Sequence, residues 1–93
     1  MIEVRRLILQ ALESNVSPSL IEALALVTRE LAKAGVQSLG DIGRTVWVWG
    51  NHAGKGIIIK VHYEPETLFD IYIPRRNLVF CDLKPKDFIY DDR

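Results

Sequence analysis

Residues 45–63 read TVWVWGNHAGKGIIIKVHY. Val46 and Val48 alternate with Thr45, Trp47 and Trp49, the period of two that marks a half-buried strand. Gly50, Gly54 and Gly56 then bracket Asn51, His52, Ala53 and Lys55 in a turn-forming stretch. Beyond it Ile57, Ile59, Val61 and Tyr63 alternate with Ile58, Lys60 and His62. Two β-rich runs joined by a short glycine-rich turn predict an antiparallel hairpin, with glycine supplying positive φ where tight turns need it.

The same period continues toward the C-terminus. Phe69, Ile71 and Ile73 alternate with Leu68, Asp70 and Tyr72, a fourth run spans Leu78 to Cys81, and a fifth is Phe88 to Tyr90. Turn chemistry separates them at Glu64-Pro65-Glu66, Pro74-Arg75-Arg76-Asn77 and Lys84-Pro85-Lys86. Five short strands with short connections predict an antiparallel meander folded into a small, strongly bent sheet or barrel.

Toward the N-terminus the period is helical. Val4, Leu7, Ile8, Ala11 and Leu12 form one apolar stripe, with Glu3, Arg6, Gln10 and Glu13 off it. Ser17 as N-cap and Pro18 at the first helical position open a second helix, and Val16 and Ile21 stand at the spacing of a hydrophobic staple. It runs through Leu20, Leu24, Val27 and Leu31 to Gly35, a natural C′ residue. The expected fold is therefore α+β in one domain, residues 1–93: a helical hairpin over 1–36 packed on a five-stranded antiparallel β half over 41–93. The strand faces opposite the expected core carry Trp47, Trp49, Ile58, Leu68 and Tyr72, too apolar for open water. The hairpin is expected to cover part of that face, with one tryptophan beneath it and the other available.

The 93 residues suffice for one domain, and 48% hydrophobic composition excludes a disordered chain. Twelve basic residues balance twelve acidic ones, without the basic excess of a dedicated nucleic-acid binder. Cys81 is the one cysteine, which excludes an intrachain disulfide and a four-cysteine zinc site. A reducing, cytoplasmic setting is expected. The N-terminal residues do not read as a signal peptide, and the longest strictly apolar run, Ala23 to Val27, is far short of a membrane span.

The segment from Gly43 to Ile59 resembles the KOW-type motif of SH3-like barrels, with a leading glycine, alternating valines and a glycine-rich turn holding a lysine. Asp70 to Val79 resembles their closing strands, so the likeness spans residues 43–83. It implies an SH3-like barrel for the β half. Such barrels serve ribosomal proteins, transcription elongation factors and protein-binding modules, so RNA or DNA binding through His52, Lys55, Lys60, Arg75 and Arg76 is what the resemblance implies.

Few residues suggest reaction chemistry. Gly54-Lys55-Gly56 lacks the phosphate-loop spacing, because Gly56 stands where a serine or threonine must bind magnesium and a strand follows. His52 and His62 with Asp70 or Asp82 have the donor types of a metal or acid–base site, but lack ligand spacing in sequence; a solvated turn and a half-buried strand position account for the two histidines. Cys81, inside an apolar strand, reads as a small buried hydrophobe rather than a nucleophile. No catalytic residue, metal or cofactor is expected. Trp47, Trp49, Tyr72, Arg75, Arg76 and Leu26 are the expected partner-binding residues of a non-catalytic adaptor. The second helix, residues 17–34, is apolar on more than one side and offers a route to a homodimer, unless Leu26 is simply one of many exposed leucines.

Overall fold

The computed structural model describes residues 1–36, 39–50 and 54–91. Among the described residues the switch in period becomes two α-helices, α1 (Ile2–Ser14) and α2 (Pro18–Lys33), followed by five strands: β1 (Thr45–Val48), β2 (Gly54–His62), β3 (Leu68–Ile73), β4 (Leu78–Leu83) and β5 (Phe88–Tyr90). The expected turn residues Asn51, His52 and Ala53 lie outside the described residues.

Ser17 caps α2 and Pro18 opens it, as the sequence predicts, although the Ser17 side chain makes no capping bond. Past the C-cap Ala34, Gly35 takes the C′ position with φ of 89°. Gly35 N–H bonds Ala32 O, and Val36 N–H bonds Leu31 O at 3.0 Å, the paired bonds of a Schellman motif. The stripe expected to be covered on α1 is half in solvent, because Val4 and Leu7 are exposed. The residue that α1 buries is Arg5.

All strand pairs are antiparallel, in the order β4-β3-β2-β1-β5. The first four strands form the predicted meander, and β5 returns to the far edge of β1. The sheet does not close, yet it curls so far that Phe69 of β3 meets Phe88 of β5 edge to face, with ring centroids 5.0 Å apart. Its concave face holds the main core: Val46, Val48, Ile58, Phe69, Ile71, Ile73 and Phe88. Gly56 permits the curl, since a Cβ there would overlap Ile71 Cγ2. This glycine serves strand packing rather than a turn.

The helices lie on the convex face. Ile21 packs on Ile57 and Tyr72, with Leu12, Ala25 and Ile59 around them. Two expectations about faces are corrected here. Ile58 is in the concave core and Ile57 under the helix, the reverse of the expected alternation, because the register shifts between Ile58 and Lys60. This bulge places Ile58 and Val61 on the same side. Neither tryptophan is covered by the hairpin: Trp47 is 38% and Trp49 49% exposed. Trp47 pairs with Lys55 on one side and Ile89 on the other, both exposed, so the helices stop short of that end of the sheet.

Arg5 joins hairpin to sheet. Its Nε donates to Thr28 Oγ1 at 3.2 Å, and its Nη2 to the carbonyls of Leu39 at 3.1 Å and Ile42 at 2.5 Å. Thr28 sits on α2, and residues 39–42 lead directly into β1. Gly43 N–H bonds Ile58 O, and Ile58 N–H bonds Arg44 O, which continues the clamp into the sheet. Gly43, at φ 94°, lies against Thr28, where a Cβ would overlap the hydroxyl. Burial pulls the guanidinium pKa down, but an arginine stays charged at neutral pH.

Arg5→Met leaves two carbonyls and a buried hydroxyl without their donor. It is expected to lower the unfolding free energy by about 2–4 kcal/mol, read as a drop in urea midpoint at unchanged slope. A loss below about 0.5 kcal/mol, the scale of ordinary surface changes, contradicts the clamp.

Candidate functional site

α2 packs on the convex face over Ile57 and Tyr72 and leaves a groove along one flank. Leu26 and Ala25 form the helical wall, Gly56 and Ile57 the floor, and Pro74 and Lys55 the far rim; its volume is about 340 Å³. The lining is mostly apolar, with Glu22, Arg29 and Lys55 at its margins. Leu26, 61% exposed, is the largest apolar side chain on the wall. Lys55 is the cross-strand partner of Trp47, so the groove runs out toward the exposed indole.

The expected partner-binding residues divide. Leu26 lines the groove. Trp47 stands beyond its end, and Arg75 and Arg76 follow Pro74 in an exposed turn. Trp49 is exposed just past the C-terminal end of β1, its backbone N–H held by Asp87 O at 2.9 Å. Tyr72 is corrected: it is 5% exposed beneath the hairpin, and its hydroxyl donates to Asn77 Oδ1 at 2.8 Å. It is a core residue with a satisfied polar tip, unavailable to a partner.

Of the residues named for nucleic-acid binding, His52 lies outside the described residues. Lys55 Nζ is 3.7 Å from Asp91 Oδ2, and Lys60 pairs in register with Asp70. Lys84 Nζ is 3.9 Å from Glu66 Oε1. Lys55, Lys60 and Lys84 thus stand next to carboxylates, which weakens the field a polyanion would feel from them. Arg44 lies over the Tyr90 ring at 3.7 Å and 3.4 Å from Asp41 Oδ1, while Tyr90 donates to the same oxygen at 3.0 Å. These contacts tie β5 to the residues before β1.

A second constellation forms at the opposite end of the convex face. His62 Nε2 is 3.3 Å from Asp70 Oδ2, and Asp82 N–H donates to Asp70 Oδ1 at 3.1 Å. The sequence names these residues individually. What it does not show is the register that puts His62 of β2 diagonally across from Asp70 of β3. Nor does it show the irregularity in β3–β4 pairing between Phe69 and Ile71 that brings Asp82, at φ 59°, beside them. Asp70 also lines a larger cleft of about 580 Å³, whose walls include Leu12, Val16, Ile21, Ile59 and Val79.

Cys81 is corrected as well. It is exposed on the edge strand β4, most of whose side chains are in solvent. Partial burial first, then the Asp70 and Asp82 carboxylates, push its thiol up from the ordinary range, with Lys60 opposing. A raised pKa means less thiolate at neutral pH. Cys81 is expected to react with a maleimide to completion but several-fold more slowly than a free cysteine, and faster in Asp82→Asn. A rate above that of free cysteine contradicts this electrostatic picture.

No described helix is long and apolar enough to cross a membrane. No family model, no curated protein and no solved structure matches the chain.

Proposed function

We propose that the chain is a non-catalytic protein-binding module, an SH3-like barrel in type, that takes an apolar segment of a partner protein along the α2 flank. The observation that carries this reading is the open groove with Leu26 on its wall and Ile57 on its floor, leading to the half-exposed Trp47. Exposed leucine and tryptophan around a concave apolar floor are the features of an interface centre, and the mixed charges at the margin suit its rim. Arg75 and Arg76, beyond Pro74, add a basic border that favours an acidic residue at the partner's end. Self-association through residues 17–34 uses the same Leu26 surface and competes with this reading.

The test is capture of partners from nuclease-treated native lysate, with the wild type beside Leu26→Glu and Trp47→Ala. Leu26 is mostly in solvent, so Leu26→Glu is expected to keep the unfolding free energy within about 0.5 kcal/mol of the wild type. Trp47→Ala gives up the covered part of the indole and is expected to cost about 1–2 kcal/mol while keeping a cooperative urea transition. A defined protein partner retained at about 0.5 M salt, where exposed ion pairs are screened, and lost in both variants is the expected result. Partners that disappear with nuclease, or with salt and the Arg75/Arg76 charges alone, favour nucleic-acid binding. A concentration-dependent dimer abolished by Leu26→Glu favours self-association.

A further inference from the structure

We propose that His62, Asp70 and Asp82 bind a single divalent transition-metal ion, zinc being the type ion, with solvent completing its coordination. The inference is independent of the groove reading and concerns the other end of the sheet. One imidazole nitrogen and two carboxylate oxygens lie within 4.8 Å of one another. The His62 Nε2 to Asp70 Oδ2 separation of 3.3 Å matches the edge of a tetrahedron with metal–ligand bonds of about 2.0 Å. Closing the remaining edges asks for a movement of at most about 1.5 Å at Asp82, an exposed side chain free to turn.

The ligands are fixed by the sheet rather than by a loose loop. His62, Asp70 and Asp82 stand on three adjacent strands. Asp82 N–H holds Asp70 Oδ1, which leaves Oδ2 aimed at the imidazole. Such a backbone donor is the outer partner that orients a ligating carboxylate. The imidazole selects the ion class: two carboxylates alone suit calcium or magnesium, whereas a nitrogen with two carboxylates suits zinc, cobalt, manganese or iron. The pair of carboxylates also gives a local negative charge that a dication neutralises, and Lys60 supplies one compensating charge beside Asp70. Cys81 immediately precedes Asp82, so a thiol lies next to the set without belonging to it.

The metal-stripped chain titrated with Zn²⁺ by calorimetry, and with Co²⁺ by visible absorption, tests the proposal. Saturation at one ion per chain is expected, with cobalt d–d bands and no thiolate-to-cobalt charge-transfer band. His62→Gln and Asp82→Asn should each weaken binding at least tenfold, while Cys81→Ser leaves it unchanged. Asparagine tolerates the positive φ at position 82, so Asp82→Asn keeps the backbone, and its metal-free urea midpoint should match the wild type. Three results overturn the site: no saturable binding; binding indifferent to both ligand variants; or binding lost in Cys81→Ser and kept in His62→Gln, which assigns it to the thiol instead.

Discussion

The guanidinium of Arg5 is the constraint on which the other contacts depend. The outer face of the curled sheet carries Ile57, Ile59 and Tyr72, which the helices cover. What holds them there is a charged group removed from water and satisfied by a hydroxyl of α2 and two carbonyls of the segment entering β1. Among the described residues no other backbone N–H outside the helices and strands donates to those carbonyls, so arginine and backbone satisfy one another. The Arg5 arrangement is directional where the Ile21, Ile57 and Tyr72 contact is not. Apolar packing favours covering the convex face, and Arg5 decides which way the hairpin lies across it.

That orientation creates the surfaces. Because α2 crosses over Ile57 and Tyr72, it leaves open the Leu26 flank and, on the other side, the cleft bounded by α1, Ile59 and Asp70. The first is apolar with charges at its edge. The second ends at a nitrogen and two carboxylates. One fold thus presents two chemically different ends, separated by the line along which helix and sheet touch. The tryptophans lie past the reach of the helices, which is why a strand so rich in aromatics stays half in solvent.

Much of the architecture was legible in the residues. The change of period after Gly40, Ser17-Pro18, Gly35 and the turn prolines each have a direct backbone cause, and the elements begin and end near them. Side-chain facing was less legible. Three consecutive isoleucines at 57–59 satisfy either parity, so nothing in the sequence reveals the bulge that turns Ile58 inward. Tyr72 reads as one aromatic of a second face that the hairpin covers in part, and spacing alone does not say which aromatics it reaches; Asn77, five residues on, accepts from its hydroxyl. Arg5 carries no signal at all: a charged residue at the edge of an apolar stripe is ordinarily solvated, and its partners lie 23 to 37 positions away. His62, Asp70 and Asp82 were visible as donor types, while their convergence depends on strand register and on a residue at positive φ, which spacing alone does not encode.

The hairpin and sheet are therefore one cooperative unit, and the groove exists only while they stay together. Native-state hydrogen exchange measures this directly at the amides of Leu24 and Thr28 in α2 and of Ile58 and Ile71 in the sheet. Equal opening free energies, matching global unfolding, are the predicted result. Opening of the α2 amides at more than about 1 kcal/mol below those of Ile58 and Ile71 would contradict it. The helices would then be a detachable layer, and the groove a transient feature of the surface.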